Sequence, residues 1–159
     1  MSFNTNFAPR ADTTIAPNTS RPLILIADDY EENRRLLLYY LRDLYNAVQA
    51  ATGEEAVRIY EERQPALVLM DLSFGEGMNG IDAAKAIKAA GGTAPIVALT
   101  AYNQQEERQR CKAAGFADFL AKPVPKQKLR DTIARLLGTA EPEEKKPEPA
   151  LYVSRRRRA

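Results

Sequence analysis

Five short apolar runs alternate with longer stretches of helical period, and this alternation limits the possible folds more than any other feature of the chain. Leu23 to Ala27, Ala47 to Ala51, Ala66 to Met70, Ile96 to Leu99 and Phe119 to Ala121 are too short for helices. They read as strands buried on both faces of a parallel sheet. The stretches between them carry helix boundary signals. Thr52-Gly53-Glu54-Glu55 and Asn103-Gln104-Gln105-Glu106 each fit a capping box, in which the first and fourth side chains satisfy exposed backbone donors. Gly91-Gly92, Gly115 and Gly138 stand where helices need a left-handed residue to stop, and Pro65 closes the second helix before the third strand. Strict alternation of five strands with five helices implies right-handed crossovers and helices on both sheet faces. The expected class is α/β, a doubly wound five-stranded parallel sheet.

The ordered domain is expected over residues 21–138, preceded by a flexible leader over 1–20 and followed by a disordered tail over 139–159. That tail alternates proline with charges and ends in a basic stub, Arg155 to Arg158, which could touch an anionic partner. Charge bears on partners only through its distribution. Between Arg21 and Gly138, 16 basic residues face 16 acidic ones, and the excess behind the net +2 lies after Gly138. The folded part therefore offers no basic footprint for nucleic acid. The twenty-one residues after Gly138 are too few and too polar for a DNA-binding or catalytic domain, so a stand-alone module is expected. No apolar run of membrane-spanning length and no secretion signal is present, which points to a cytoplasmic protein.

Chemistry is narrowed by what is missing. The chain has one cysteine, Cys111, and no histidine, which removes disulfide frameworks, thiolate or imidazole zinc sites and any histidine base. Carboxylates, hydroxyls and lysines remain. In open α/β sheets ligands sit beyond the carboxyl ends of the strands. There the sequence places Asp28-Asp29 after strand one, Asp71 after strand three, Thr100 after strand four and Lys122 after strand five. Carboxylates crowded together repel one another unless a cation sits between them, and oxygen donors alone suit Mg2+. The metal is expected on Asp28 or Asp29, Asp71 and the backbone carbonyl of Ser73. Lys122 and Thr100 suit the oxygens of a phosphoryl group carried by a carboxylate.

These residues carry a resemblance to a known family. Ile26-Ala27-Asp28-Asp29 with Asn33, Leu69-Met70-Asp71-Leu72 with the later Gly80, Ala98-Leu99-Thr100-Ala101 and Phe119-Leu120-Ala121-Lys122-Pro123 resemble the receiver domains of bacterial response regulators across about residues 21–138. The resemblance implies the flavodoxin-like strand order 2-1-3-4-5 and a two-component signalling role. It makes Asp71 the phosphoacceptor, Asp28 and Asp29 the acidic metal pair, Thr100 the switch threonine and Lys122 the phosphate-binding lysine. Phe119 falls at the aromatic switch position, while Ser73 and Tyr102 occupy positions that tune phosphoryl lifetime. It also implies a histidine kinase or phosphotransfer protein as donor, and a downstream target on the surface of helix four, strand five and helix five.

One segment departs from the family pattern. From Asp71 to Gly80 the loop is one residue longer and lacks the usual proline, and Gly75 and Gly77 are expected to make it more mobile. The leading expectation is a phosphorylation-dependent switch that catalyses only its own Mg2+-dependent modification and signals by protein binding or relay. The alternative is a pseudo-receiver, an interaction module not controlled by phosphate.

Overall fold

The computed structural model describes residues 20–101 and 105–139. Residues 1–19 of the leader, residues 140–159 of the tail with Arg155 to Arg158, the capping residue Asn103 and the switch candidate Tyr102 lie outside the described residues. Five strands and five helices alternate: β1 (Leu23–Ala27), α1 (Glu31–Leu41), β2 (Asn46–Ala50), α2 (Gly53–Arg63), β3 (Leu67–Asp71), α3 (Gly80–Ala89), β4 (Ile96–Thr100), α4 (Gln105–Ala113), β5 (Asp118–Ala121) and α5 (Lys126–Leu137). All pairings are parallel, in the order β2-β1-β3-β4-β5. Among the described residues no helix is long and apolar enough to cross a membrane.

The strands follow the apolar runs to within a residue, and β3 and β4 extend to include Asp71 and Thr100 themselves. Central strands β3 and β4 are buried along their whole length. β2 and β5 are not buried on both faces as expected, because they form the two edges of the sheet. Alternate residues of each strand feed opposite faces. Ile24, Ile26, Leu67 and Leu69 pack with Leu37 and Leu41 of α1 and Leu129 and Ile133 of α5. Leu25, Val68 and Met70 pack with Ile59 and Tyr60 of α2 and Ala84 and Ile87 of α3. A smaller cluster of Leu72, Ile81, Ala98, Cys111 and Ala114 lies under α4, with Phe116 and Phe119 against it.

Helix ends bear out several local signals and correct others. The Thr52 hydroxyl accepts from the Glu55 N–H at 3.1 Å, and the Glu55 carboxylate reaches back to the Ala51 N–H at 2.9 Å. Gly91, Gly115 and Gly138 all take positive φ. The end of α2 is left-handed at Gln64, with φ 45°, where no glycine stands. The Gln64 amide compensates by donating to the Tyr60 and Glu61 carbonyls. Neither Asp28 nor Asp29 caps α1: the cap is Tyr30, without a side-chain bond to the helix. Asp28 bonds instead to the Tyr30 N–H, one residue short of the helix, because the site holds its carboxylate inside.

Gly80 opens α3, and a Cβ there would stand 2.0 Å from the Asp71 carbonyl oxygen and 2.9 Å from the Leu72 Cα. The contact is with backbone, which cannot swing aside. Gly80→Ala is expected to destabilise the domain by about 1–3 kcal/mol, as overpacked cores do. Urea unfolding with an unchanged m-value checks this. A midpoint equal to the parent's would refute the close approach.

Candidate functional site

Strand register delivers the candidate residues to one crevice. Ala27 pairs with Met70, so Asp28 and Asp71 follow side by side at the ends of β1 and β3. Asp71 pairs with Leu99, Thr100 with Ala121, and the Lys122 N–H donates to the Thr100 carbonyl at 2.7 Å. The sheet order reverses between β1 and β3, which is where doubly wound folds open a ligand crevice. Carboxylate oxygens of Asp28, Asp29 and Asp71 lie within 4.8 Å of one another. Asp28 is fully buried, Asp71 is 4% and Thr100 1% exposed, while Asp29 faces solvent.

Lys122 spans the two buried carboxylates, with Nζ 2.8 Å from Asp28 Oδ2 and 3.4 Å from Asp71 Oδ1. The peptide bond to Pro123 is cis. Asp28 is held from three sides. The Tyr30 N–H donates to Oδ1 at 2.9 Å, Asn33 Nδ2 donates to Oδ2 at 3.3 Å, and Arg34 donates to the Asp28 backbone carbonyl at 2.7 Å. Asp71 receives less support: the Ser73 N–H reaches its Oδ1 at 3.1 Å. Burial pushes the Asp71 carboxyl up to about 6. The Ser73 N–H and the Lys122 ammonium oppose that rise, and the negative charge of Asp28 adds to it. Two buried carboxylates sharing one ammonium leave unbalanced negative charge, and three oxygen donors converge on it. This donor set fits a hard divalent cation.

The long loop after Asp71 is held at two points. The Gly75 N–H donates to Asp29 Oδ2 at 3.1 Å, and the Met78 N–H to Glu54 Oε1 at 2.8 Å. The bond from Met78 also holds the Glu54 carboxyl below its ordinary range. Gly77 takes φ 79° there, and a Cβ would come within 2.7 Å of the same Glu54 oxygen. Asn79 then caps α3 by accepting from the Asp82 N–H at 2.8 Å, a cap the spacing Asn79-Gly80-Ile81-Asp82 could have disclosed.

The Thr100 hydroxyl engages α4, where Oγ1 donates to Glu107 Oε2 at 3.2 Å. Phe119 is half-buried, with the Arg108 guanidinium carbon 5.1 Å from its ring centroid. The sequence reading missed Glu107, Arg108 and Glu54. No local periodicity signals these pairs, since each depends on where a loop puts its helix.

Beside the acidic cluster a cavity of about 280 Å³ opens between α1 and the β5–α5 connection. Asp28, Asn33, Leu36, Lys122, Pro123 and Val124 contribute to its wall.

Known proteins are similar to this chain in sequence and in fold. A sensor histidine kinase, RcsC from Salmonella typhi, is 35% identical over 127 residues, which cover 79% of this chain and 13% of that protein. The chain thus spans about an eighth of that relative. The chemotaxis protein CheY from Halobacterium salinarum is 34% identical over 115 residues, covering 72% of this chain and 95% of CheY. Among solved structures, the Vibrio cholerae chemotaxis protein CheY4 superposes with a TM-score of 0.70 at 27% identity, over 74% of this chain and 99% of that one. The response regulator receiver domain family matches residues 24–134. With that match, the five-stranded order and the acidic crevice at its switch point, the chain belongs to the response regulator receiver domains of two-component signalling.

Proposed function

We propose that this domain is a phosphorylation-dependent switch in which Asp71 accepts a phosphoryl group from a phosphohistidine on a kinase or phosphotransfer protein. The reading rests chiefly on Lys122 Nζ lying within 3.4 Å of both Asp28 and Asp71 in a crevice of converging carboxylates. An Asp71 oxygen attacks phosphorus, the phosphorus–nitrogen bond of the donor breaks, and an acyl phosphate forms. Lys122 neutralises the charge on the transferring oxygens, and Thr100 donates its hydroxyl proton to another of them. Asp28, Asp29, Asp71 and the Ser73 backbone carbonyl would hold Mg2+, which supplies further charge neutralisation for a phosphoryl group among carboxylates. The chain needs no histidine of its own, since the donor brings it.

The modified Asp71 then draws on Thr100, and the surface of α4, β5 and α5 changes with Thr100 and Phe119. Output is by binding a protein target there or by passing the phosphoryl group onward. Several relatives are sensor kinases by name, consistent with a histidine-bearing donor.

Incubation with acetyl phosphate and Mg2+ is expected to add one phosphoryl mass, labile in hydroxylamine, which Asp71→Asn abolishes. A folded parent that gains no adduct would favour an interaction module not controlled by phosphate. An adduct that persists in Asp71→Asn would refute the site.

A further inference from the structure

α4 is the most thinly anchored of the helices: only Cys111 of its nine residues is buried, against five of ten in α3. Two consecutive α4 residues nevertheless reach back to the switch positions. Glu107, itself half-buried, accepts the proton of buried Thr100 at 3.2 Å, and Arg108 lies over the ring of Phe119. A hydroxyl carries a single proton. Thr100 therefore cannot donate to Glu107 and to a phosphoryl oxygen on Asp71 at the same time.

We infer that Glu107 is a positioning residue, the resting-state acceptor that competes with phosphorylated Asp71 for the Thr100 proton and so couples the phosphoryl group to the release of α4. This inference rests on the reading of Asp71 as phosphoacceptor. Before transfer, the Glu107 carboxylate holds the Thr100 hydroxyl on the α4 side. After transfer, the phosphoryl oxygens carry more negative charge and sit next to Lys122, so the proton moves to them and Glu107 loses its buried donor. Cys111 and the Arg108–Phe119 stack remain among the anchors of α4, and the second of these belongs to the surface that must change. Occupancy of the phosphoryl site and the Thr100–Glu107 tether compete for one hydroxyl proton, so occupancy and detachment of α4 must favour each other thermodynamically.

The experiment uses beryllium fluoride with Mg2+ as a phosphoryl mimic on the parent, Glu107→Ala, Glu107→Gln, Thr100→Ala and the Glu107→Ala/Thr100→Ala double variant. It measures the half-saturating concentration and amide hydrogen exchange along α4. Removing a charge-assisted acceptor in a half-buried setting is expected to tighten mimic binding roughly three- to tenfold in Glu107→Ala. It should also speed α4 exchange in the resting protein. Glu107→Gln, which keeps a neutral carbonyl acceptor, should shift both less. In the Thr100→Ala background the Glu107 substitution should change neither. Unchanged binding and exchange in Glu107→Ala would overturn the inference. So would equal shifts with and without Thr100, the pattern of a merely structural residue. A parent that ignores the mimic would overturn the phosphoacceptor reading. Resting-state exchange in Glu107→Ala would then still support or refute the Thr100–Glu107 tether.

Discussion

Lys122→Ala is expected to slow phosphorylation of Asp71 by acetyl phosphate by about two to three orders of magnitude, the usual cost of removing one preorganised charge donor from a reacting oxyanion. The geometry gives the reason. Lys122 Nζ is the only ammonium within 4 Å of either buried carboxylate among the described residues, and its side chain is 21% exposed, so water replaces it poorly. Its removal leaves Asp28 and Asp71 facing each other without a counter-charge. The Asp71 carboxyl, already lifted to about 6, should rise further and become a weaker nucleophile at neutral pH. Lys122→Arg is expected to recover little, because a larger guanidinium with its donors in a fixed fork does not take the place of a compact ammonium 2.8 and 3.4 Å from two buried carboxylates. Adduct formation followed over time by intact mass gives the rates. A loss smaller than about fivefold in Lys122→Ala would remove Lys122 from the transfer step.

Asp71→Asn is expected to make the metal-free protein more stable at neutral pH, by at most about 3 kcal/mol, while destroying its phosphoacceptor. A carboxyl lifted from 3.8 to about 6 carries an ionisation penalty of that size, which a neutral amide does not. The substitution should fit, because both donors to Asp71, the Ser73 N–H and Lys122 Nζ, address the same oxygen, Oδ1, which asparagine retains. The sign of the pH dependence follows from proton counts. Between pH 3.8 and about 6 the folded protein holds a proton on Asp71 that the unfolded chain has released, so parent stability falls as pH rises through that window. The advantage of Asp71→Asn should thus be near zero at pH 3.8 or below, grow up to about pH 6 and level off beyond. Mg2+ should act in the opposite direction, raising the parent's melting temperature more than the variant's, since its carboxylate is one of the expected ligands. Thermal melts across pH 4–8 with a chelator, then with Mg2+, test both arms. An advantage that is constant across pH would show that Asp71 does not carry the unbalanced charge.

Much of the fold was legible because its determinants are local or periodic. The buried runs at Leu67 and Ile96, the Thr52 capping box and the positive-φ glycines at 91, 115 and 138 all express themselves within a few residues. The edge positions of β2 and β5 were less so, since an apolar run does not disclose whether a neighbour covers it. The placement of Asp28, Asp71, Thr100 and Lys122 at one rim was legible too. Each interrupts an apolar run with a polar group where the sheet ends, and register then aligns them.

What the chain determined by itself is therefore the set of candidate site groups and the scaffold that gathers them: polar residues at the ends of four apolar strands, in an order that a parallel doubly wound sheet must bring together. What only the tertiary structure decided is how those groups are tied when at rest. Asp29 accepts from the Gly75 N–H, Glu54 from the Met78 N–H, and Glu107 from the Thr100 hydroxyl. The physical reason is that strand ends are positioned by a repeating hydrogen-bond ladder that the hydrophobic pattern specifies. Loop-to-helix contacts are instead set by single side chains meeting across loops whose path no periodicity encodes.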